Sequence, residues 1–72
     1  MRDRETQIQF LEQAERHIAE GELRIAEQAE RVARLRRHGH DVTEADRLLT
    51  LFRDTQAQQL AHRDLILKEL TQ

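Results

Sequence analysis

Apolar residues recur at alternating spacings of three and four along both halves of the chain, the spacing of amphipathic helices that pack through a narrow seam. In the first half the predicted seam residues are Ile8, Leu11, Ile18, Ile25, Ala29 and Val32. In the second half they are Val42, Ala45, Leu49, Phe52, Leu60, Leu67 and Leu70. The pattern predicts an all-α fold of two helices, each with one apolar stripe that forms the core.

One short segment, residues 38–41, interrupts this periodicity. It contains Gly39, and glycine readily adopts the positive φ that ends a helix at C′. We therefore predict a single domain over residues 1–72, an antiparallel helical hairpin with helix 1 at about 3–37, a turn at 38–41 and helix 2 at about 42–70.

The start of the second helix carries a recognisable capping pattern. Asp41 is the predicted N-cap, and Glu44 follows three residues later in a capping-box arrangement. Thr43, with Asp46 three residues after it, is the alternative cap.

Polar residues interrupt both stripes, and their positions predict the register. In an antiparallel hairpin, facing residues have numbers that add to a constant. A constant of 78 sets Glu15 opposite Arg63 and Glu22 opposite Gln56. Sliding one helix by a heptad would set charge against apolar side chains, and a buried unpaired charge costs several kcal/mol. The two pairs are therefore predicted to be polar layers that fix the register.

The chain carries more apolar surface than one seam uses. A single core in a chain of 72 residues rarely supplies more than about 3–5 kcal/mol, and there is no cysteine for a disulfide. The surplus residues flanking the seams are Ala14, Ala19, Gly21, Ala26, Ala33, Leu35, Leu48, Leu51, Leu65 and Ile66. We expect two copies to form a C₂ homodimer, a four-helix bundle. A monomeric hairpin and a larger assembly are the alternatives.

Composition narrows the functional classes. Charged residues make up 36% of the chain and the net charge is −2, which predicts no strong attraction to nucleic acid or to an anionic membrane. The N-terminal residues are polar and the longest apolar run is three residues, so we expect neither a signal peptide nor a membrane span. A cytoplasmic location is the resulting expectation.

Four histidines are the only candidate metal ligands of the imidazole type. His17 and His62 are predicted to lie near one another on one flank of the hairpin, while His38 and His40 flank Gly39. A pair of imidazoles is a weak candidate site for zinc or copper, because structural sites normally use four ligands. Solvated histidines are the favoured interpretation, so no metal and no cofactor is expected.

Neither catalysis nor nucleic-acid binding is favoured by the remaining residues. The chain has no Cys, Ser, Tyr or Trp, and we expect no enzymatic activity. A basic segment at the end of helix 1 offers possible phosphate contacts, namely Arg31, Arg34, Arg36 and Arg37. The preferred explanation for these cations is that they complement the negative end of the helix dipole.

Several segments resemble a family of small, functionally uncharacterised helical-hairpin proteins of alphaproteobacteria. They are His17-Ile18-Ala19-Glu20-Gly21-Glu22, Gly39-His40-Asp41 with Glu44-Ala45 and Leu48-Leu49, and His62-Arg63-Asp64-Leu65-Ile66-Leu67. The resemblance implies a fold and a bacterial origin but no activity. In architecture alone the chain is also similar to Rop-type hairpin dimers, with no residue-level match.

The sequence thus favours a non-enzymatic module for protein–protein interaction or oligomerisation, acting as an adaptor, scaffold or small regulator, with a homodimer and an unidentified protein as the expected partners. The alternative is a Rop-like nucleic-acid-binding regulator that uses the basic end of helix 1.

Overall fold

A computed structural model describes residues 3–72 as two antiparallel helices that pack against each other along their length. Helix α1 spans Arg4–Arg37 and helix α2 spans Thr43–Leu70. The described residues contain no strand. The hairpin measures 55 × 14 × 14 Å, so it is a rod two helices thick. The predicted all-α two-helix hairpin is confirmed, and the predicted bounds lie within one residue of the observed ones.

Helix α1 ends in a Schellman motif around Gly39. Gly39 has a φ of 74°, its N–H donates to the carbonyl of Arg36 at 3.1 Å, and the N–H of His40 donates to the carbonyl of Leu35 at 2.9 Å. These two bonds satisfy carbonyls that a helix end otherwise leaves unpaired. Glycine occupies this position because a Cβ is strained at positive φ.

Helix α2 begins one residue later than the capping box implies. Its N-cap residue is Val42, which makes no side-chain capping bond. The Asp41 carboxylate instead accepts from the Thr43 N–H at 2.9 Å and from the Thr43 hydroxyl at 2.7 Å. The Thr43 hydroxyl, followed by the backbone N–H, lowers the pKa of Asp41. Asp41 therefore caps the first turn from outside the helix.

Two columns of α1 residues are predicted to form the seam between the helices. The structure contains one of them in the seam and has a different set of residues in place of the other. Leu11, Ile18, Ile25 and Val32 face α2, as the sequence indicates. The second column consists of Gln7, Ala14, Gly21, Gln28 and Leu35, all buried or half-buried. The corresponding seam of α2 is Val42, Ala45, Leu49, Phe52, Gln56, Gln59, Arg63, Ile66 and Leu70. Gly21 and Gln56, which lie against each other across the seam, have numbers that add to 77.

This arrangement corrects part of the predicted core. Ile8 and Leu67 are each 38% exposed, and their placement in the core is wrong. Ile18, Val32 and Leu49 are buried, and the rest of the predicted core is half-buried, namely Leu11, Ile25, Ala29, Ala45, Phe52, Leu60 and Leu70. Ala14 and Ile66, predicted to flank the seam, are buried within it.

The physical reason for the change is the cost of burying charge. The predicted column contains Glu15 and Glu22, both of which are exposed in the structure. The observed column places neutral amides and small residues at the seam, and an amide is far cheaper to bury than a carboxylate when it is hydrogen-bonded. Because α1 is oriented with this column toward α2, both glutamates remain in water.

The resulting core is thin. Only five apolar side chains are buried among residues 3–72: Ala14, Ile18, Val32, Leu49 and Ile66. None of these described side chains is fully enclosed. Within the same range, neither helix combines the length and the apolar character needed to cross a bilayer.

Candidate functional site

The middle of the hairpin is a polar layer formed by Gln56 and Gly21. Gln56 is 8% exposed, and its Nε2 donates to the backbone carbonyl of Ile18 at 2.9 Å. Gly21 lies against this amide so closely that a Cβ at position 21 would be 2.9 Å from Gln56 Cδ and would overlap Oε1. A side chain at position 21 would therefore have to displace the end of the Gln56 side chain, whereas glycine leaves room for this amide although it weakens a helix by up to about 1 kcal/mol.

Two further glutamines in α1 form similar layers. Gln28 Nε2 donates to the carbonyl of Ala45 at 2.8 Å near the turn. Gln7 Nε2 donates to the Glu69 carboxylate near the open end, while Gln7 Oε1 is buried without a partner among the described residues. Each of the three buried glutamines thus bonds across the seam, at the two ends and in the middle of the rod.

The predicted polar layers differ from the observed ones. Glu22 is exposed, and the residue opposite Gln56 is Gly21. Glu15 is also exposed, and the Arg63 guanidinium binds Asp64 on its own helix at 3.0 and 3.1 Å. The predicted Glu15–Arg63 and Glu22–Gln56 pairs are therefore wrong, and buried glutamine amides bond across the seam instead, to a backbone carbonyl from Gln28 and Gln56 and to a carboxylate from Gln7.

Sequence reasoning missed Gln7 and Gln28 as seam residues, although a signal for them exists. Gln7, Ala14, Gly21 and Gln28 lie on one column with a spacing of seven. The pattern is recognisable only if glutamine is counted among the residues that can be buried when their side chains are hydrogen-bonded.

The structure brings His17 and His62 to one cleft on a flank of the hairpin. The cleft has a volume of about 220 Å³ and is also lined by Phe10, Gln13 and Gln59. Both histidines are exposed. Among residues 3–72, no three His, Cys, Asp or Glu side chains cluster closely enough to hold a metal ion together. The cleft therefore offers at most two imidazole ligands.

A neighbouring cleft on the same flank is lined by Arg24 and Phe52. The Arg24 guanidinium carbon lies 5.8 Å from the centroid of the Phe52 ring, a cation–π distance. The Arg24 side chain shields one side of Phe52, which is only half-buried at the seam. This contact covers one side of a core aromatic residue, and both side chains line this cleft of about 120 Å³.

The basic segment lies on the surface at the closed end of the hairpin. The four arginines predicted as possible phosphate contacts, Arg31, Arg34, Arg36 and Arg37, are all exposed. The Arg37 guanidinium pairs with Glu30 at 3.4 Å, and Arg47 of α2 pairs with Glu44 at 2.8 Å. Residues 30–47 contain five arginines and four acidic residues, so the closed end has only a small excess of positive charge.

Large apolar side chains remain on the outside of the hairpin. Those more than a third exposed are Ile8, Phe10, Leu23, Leu48, Leu51, Leu65 and Leu67. They outnumber the five buried apolar residues, and all seven are larger than alanine. Exposed apolar side chains mark an interaction site where they form one contiguous patch, whereas those scattered singly are normal on a protein surface.

No family model, curated protein or solved structure matches this chain. The resemblance to a bacterial helical-hairpin family consequently stays a prediction from the sequence.

Proposed function

We propose that the chain is a non-enzymatic self-assembly module, in which two hairpins form a homodimeric four-helix bundle that serves as an adaptor, scaffold or small regulator. The bundle would work in the cytoplasm, the location expected from the polar N-terminus and the short apolar runs, and the sequence resemblance implies a bacterial origin. An additional protein would bind the outer faces of the assembled bundle.

One observation supports this proposal above the others: the apolar side chains are divided unevenly between the core and the surface. Among residues 3–72, five are buried, whereas seven large ones are more than a third exposed. Each exposed side chain that becomes fully buried contributes about 1.5–3 kcal/mol relative to a fully exposed one, and somewhat less here because exposure is partial. A second copy of the same chain would bury these exposed side chains against its own.

Self-assembly couples stability to concentration, and this coupling tests the proposal. Thermal unfolding, followed by circular dichroism at 222 nm, should show a melting temperature that rises over a hundredfold increase in protein concentration, because dimerisation stabilises only the folded chain. A melting temperature that stays constant over this range would contradict the proposal.

The alternative, a Rop-like nucleic-acid-binding regulator, is supported by the exposure of the four arginines at the end of α1. The acidic residues at the same end weaken it, since Glu30 and Glu44 already engage Arg37 and Arg47. Binding of duplex RNA or DNA at low salt, with an affinity that falls steeply as salt increases, would favour the alternative. We expect no such binding.

A further inference from the structure

His17 of α1 and His62 of α2 line the same cleft of about 220 Å³ on one flank of the hairpin. Both side chains are exposed. Among residues 3–72, neither imidazole takes part in a hydrogen bond or an ion pair, so its ring nitrogens are available to a ligand. The sequence alone favours solvated histidines, and the shared cleft is what the structure adds.

The two histidines lie at nearly the same height along the rod. Gly21 and Gln56 are in contact across the seam, which fixes the register locally. His17 precedes Gly21 by four residues, and His62 follows Gln56 by six. These steps run in the same direction in antiparallel helices, so the histidines differ in height by two residues, or about 3 Å. The two imidazoles are therefore close enough in height to converge on one ion between the helices.

The rest of the cleft suits a metal ion better than an organic ligand. Its other lining residues are Phe10, Gln13, Ala14 and Gln59, so no Lys or Arg side chain lines it to repel a cation. The glutamine amide oxygens can accept hydrogen bonds from metal-bound water or from the imidazole N–H that does not face the metal. The cleft is also smaller than the roughly 300–1,000 Å³ that is typical of small-molecule pockets.

Two neighbouring arginines engage other groups. The Arg24 guanidinium carbon lies 5.8 Å from the centroid of the Phe52 ring. Arg63, which follows His62 in the sequence, donates to the Asp64 carboxylate at 3.0 and 3.1 Å. Their positive charges are thus directed to an aromatic ring and a carboxylate, and the cleft itself is left to the two imidazoles.

We infer that His17 and His62 form a two-histidine site for a late first-row transition metal ion, Cu²⁺ in preference to Zn²⁺, with water completing the coordination. Imidazole nitrogen suits both ions, and Cu²⁺ binds such ligands more tightly. Because one ligand comes from each helix, the ion would hold α1 to α2 in a chain with a thin core and no cysteine. The inference goes beyond the proposed function and does not depend on self-assembly.

Metal-dependent melting tests the site, with a chain that carries no histidine tag. CuCl₂ in about tenfold excess should raise the melting temperature, followed by circular dichroism at 222 nm, by about 5 °C or more, since an ion that binds the folded hairpin more tightly than the unfolded chain stabilises it. ZnCl₂ should give a smaller rise, MgCl₂ should give none because Mg²⁺ prefers oxygen ligands, and EDTA should reverse the rise. No rise with either Cu²⁺ or Zn²⁺ would overturn the site.

Substitution of the histidines locates the bound ion. His17→Gln and His62→Gln should each weaken Cu²⁺ binding by about tenfold or more, because even the loss of an outer-shell partner typically costs about 10–100-fold in metal affinity. The control variant combines His38→Gln with His40→Gln, which removes the histidines of the turn, and should keep the full rise in melting temperature. All four positions are exposed, so each variant should fold without metal as the wild type does. A rise that is lost in the turn variant and kept in His17→Gln would overturn the site.

Two further measurements separate a site within one hairpin from an ion that bridges two chains. The electron paramagnetic resonance spectrum of the Cu²⁺-loaded chain should show two equivalent nitrogen ligands, and His62→Gln should remove one of them. Sedimentation equilibrium with and without Cu²⁺ should give the same mass at the same protein concentration. A mass that doubles only with Cu²⁺, and not in His17→Gln, would show that the imidazoles bind the ion between chains and would overturn the site within one hairpin.

Discussion

Gly21 of α1 lies directly against the side-chain amide of Gln56 of α2, so a change at either position alters what the other must accommodate. The amide fills the space that a Cβ would occupy and donates to the Ile18 carbonyl one turn away. The absence of a side chain at Gly21 thus leaves room for a buried, hydrogen-bonded amide in the middle of the rod.

Substitution of Gly21 by alanine should reveal this coupling. In the wild-type chain, Gly21→Ala displaces the Gln56 amide and should lower the free energy of unfolding by about 1 kcal/mol, because the lost buried hydrogen bond outweighs the gain in helix propensity. In a Gln56→Ala background the same substitution should stabilise by about 1 kcal/mol, since only the propensity gain remains. Urea unfolding of the four proteins measures both effects.

The sign of the effect in the wild-type background is decisive, because stabilisation in the Gln56→Ala background is expected with or without the contact. If Gly21→Ala stabilised both backgrounds equally, the two residues would not be in contact, and the register described above would be incorrect.

The observed register also predicts that Glu15 and Arg63 do not interact. Glu15 is exposed, and Arg63 pairs with Asp64. In a double-mutant cycle, Glu15→Ala and Arg63→Ala should be additive within about 0.3–0.5 kcal/mol. The cycle of Arg63→Ala with Asp64→Ala is the control and should show a coupling of about 0.2–1 kcal/mol, as for a partly exposed ion pair. Strong coupling between Glu15 and Arg63 would restore the sequence-based register.

The sequence predicts the two helices, the turn at Gly39 and the column Leu11, Ile18, Ile25, Val32 because these features depend on local propensity and on a spacing of seven. It does not decide the second column. Ile8 and Gln7 precede Leu11 by three and four residues, and both spacings lie on the same helical face. Apolar character favours Ile8, and the structure uses Gln7.

Whether Ile8 or Gln7 lies in the seam depends on the groups that α2 presents to it, and the pattern of α1 alone does not contain this information. Gln7, Gly21 and Gln28 become suitable for the seam only when the partner helix supplies a carbonyl, a carboxylate or an amide at the right height. For the same reason the flanking Ile66 enters the core while Leu67 leaves it.

Substitutions of Gly39 in the turn test the cost of backbone strain separately from any steric clash of the new side chain. No atom lies within 4 Å of a Cβ built on Gly39, and its φ is 74°. Gly39→Ala should therefore lower the free energy of unfolding by about 1–2 kcal/mol through the left-handed conformation only. Gly39→Asn should cost less, because asparagine tolerates this region better. Equal losses for both variants, measured by urea unfolding, would indicate a steric cause.

The first turn of α2 predicts a pH dependence. Hydrogen bonds from Thr43 lower the pKa of Asp41 from its ordinary value of 3.8. A carboxylate with a lowered pKa contributes stability that is present above its unfolded pKa and is lost as the pH falls through the folded value. Asp41→Ala should therefore melt at a lower temperature than wild type near neutral pH.

The difference in melting temperature should shrink steadily as the pH falls below 3.8, because the wild-type carboxylate becomes protonated. The other carboxylates titrate in both proteins and cancel from the comparison. A difference that grows on acidification would show that Asp41 does not cap the turn as a carboxylate.

The central claim, that this hairpin completes its core with a second copy of itself, is tested most directly by its mass in solution. Sedimentation equilibrium with interference optics suits a chain that has neither Trp nor Tyr to absorb at 280 nm. We predict a reversible equilibrium at micromolar concentrations whose heavier species has twice the 8.6 kDa mass of one chain. A single species of 8.6 kDa that persists to millimolar concentration would contradict the claim.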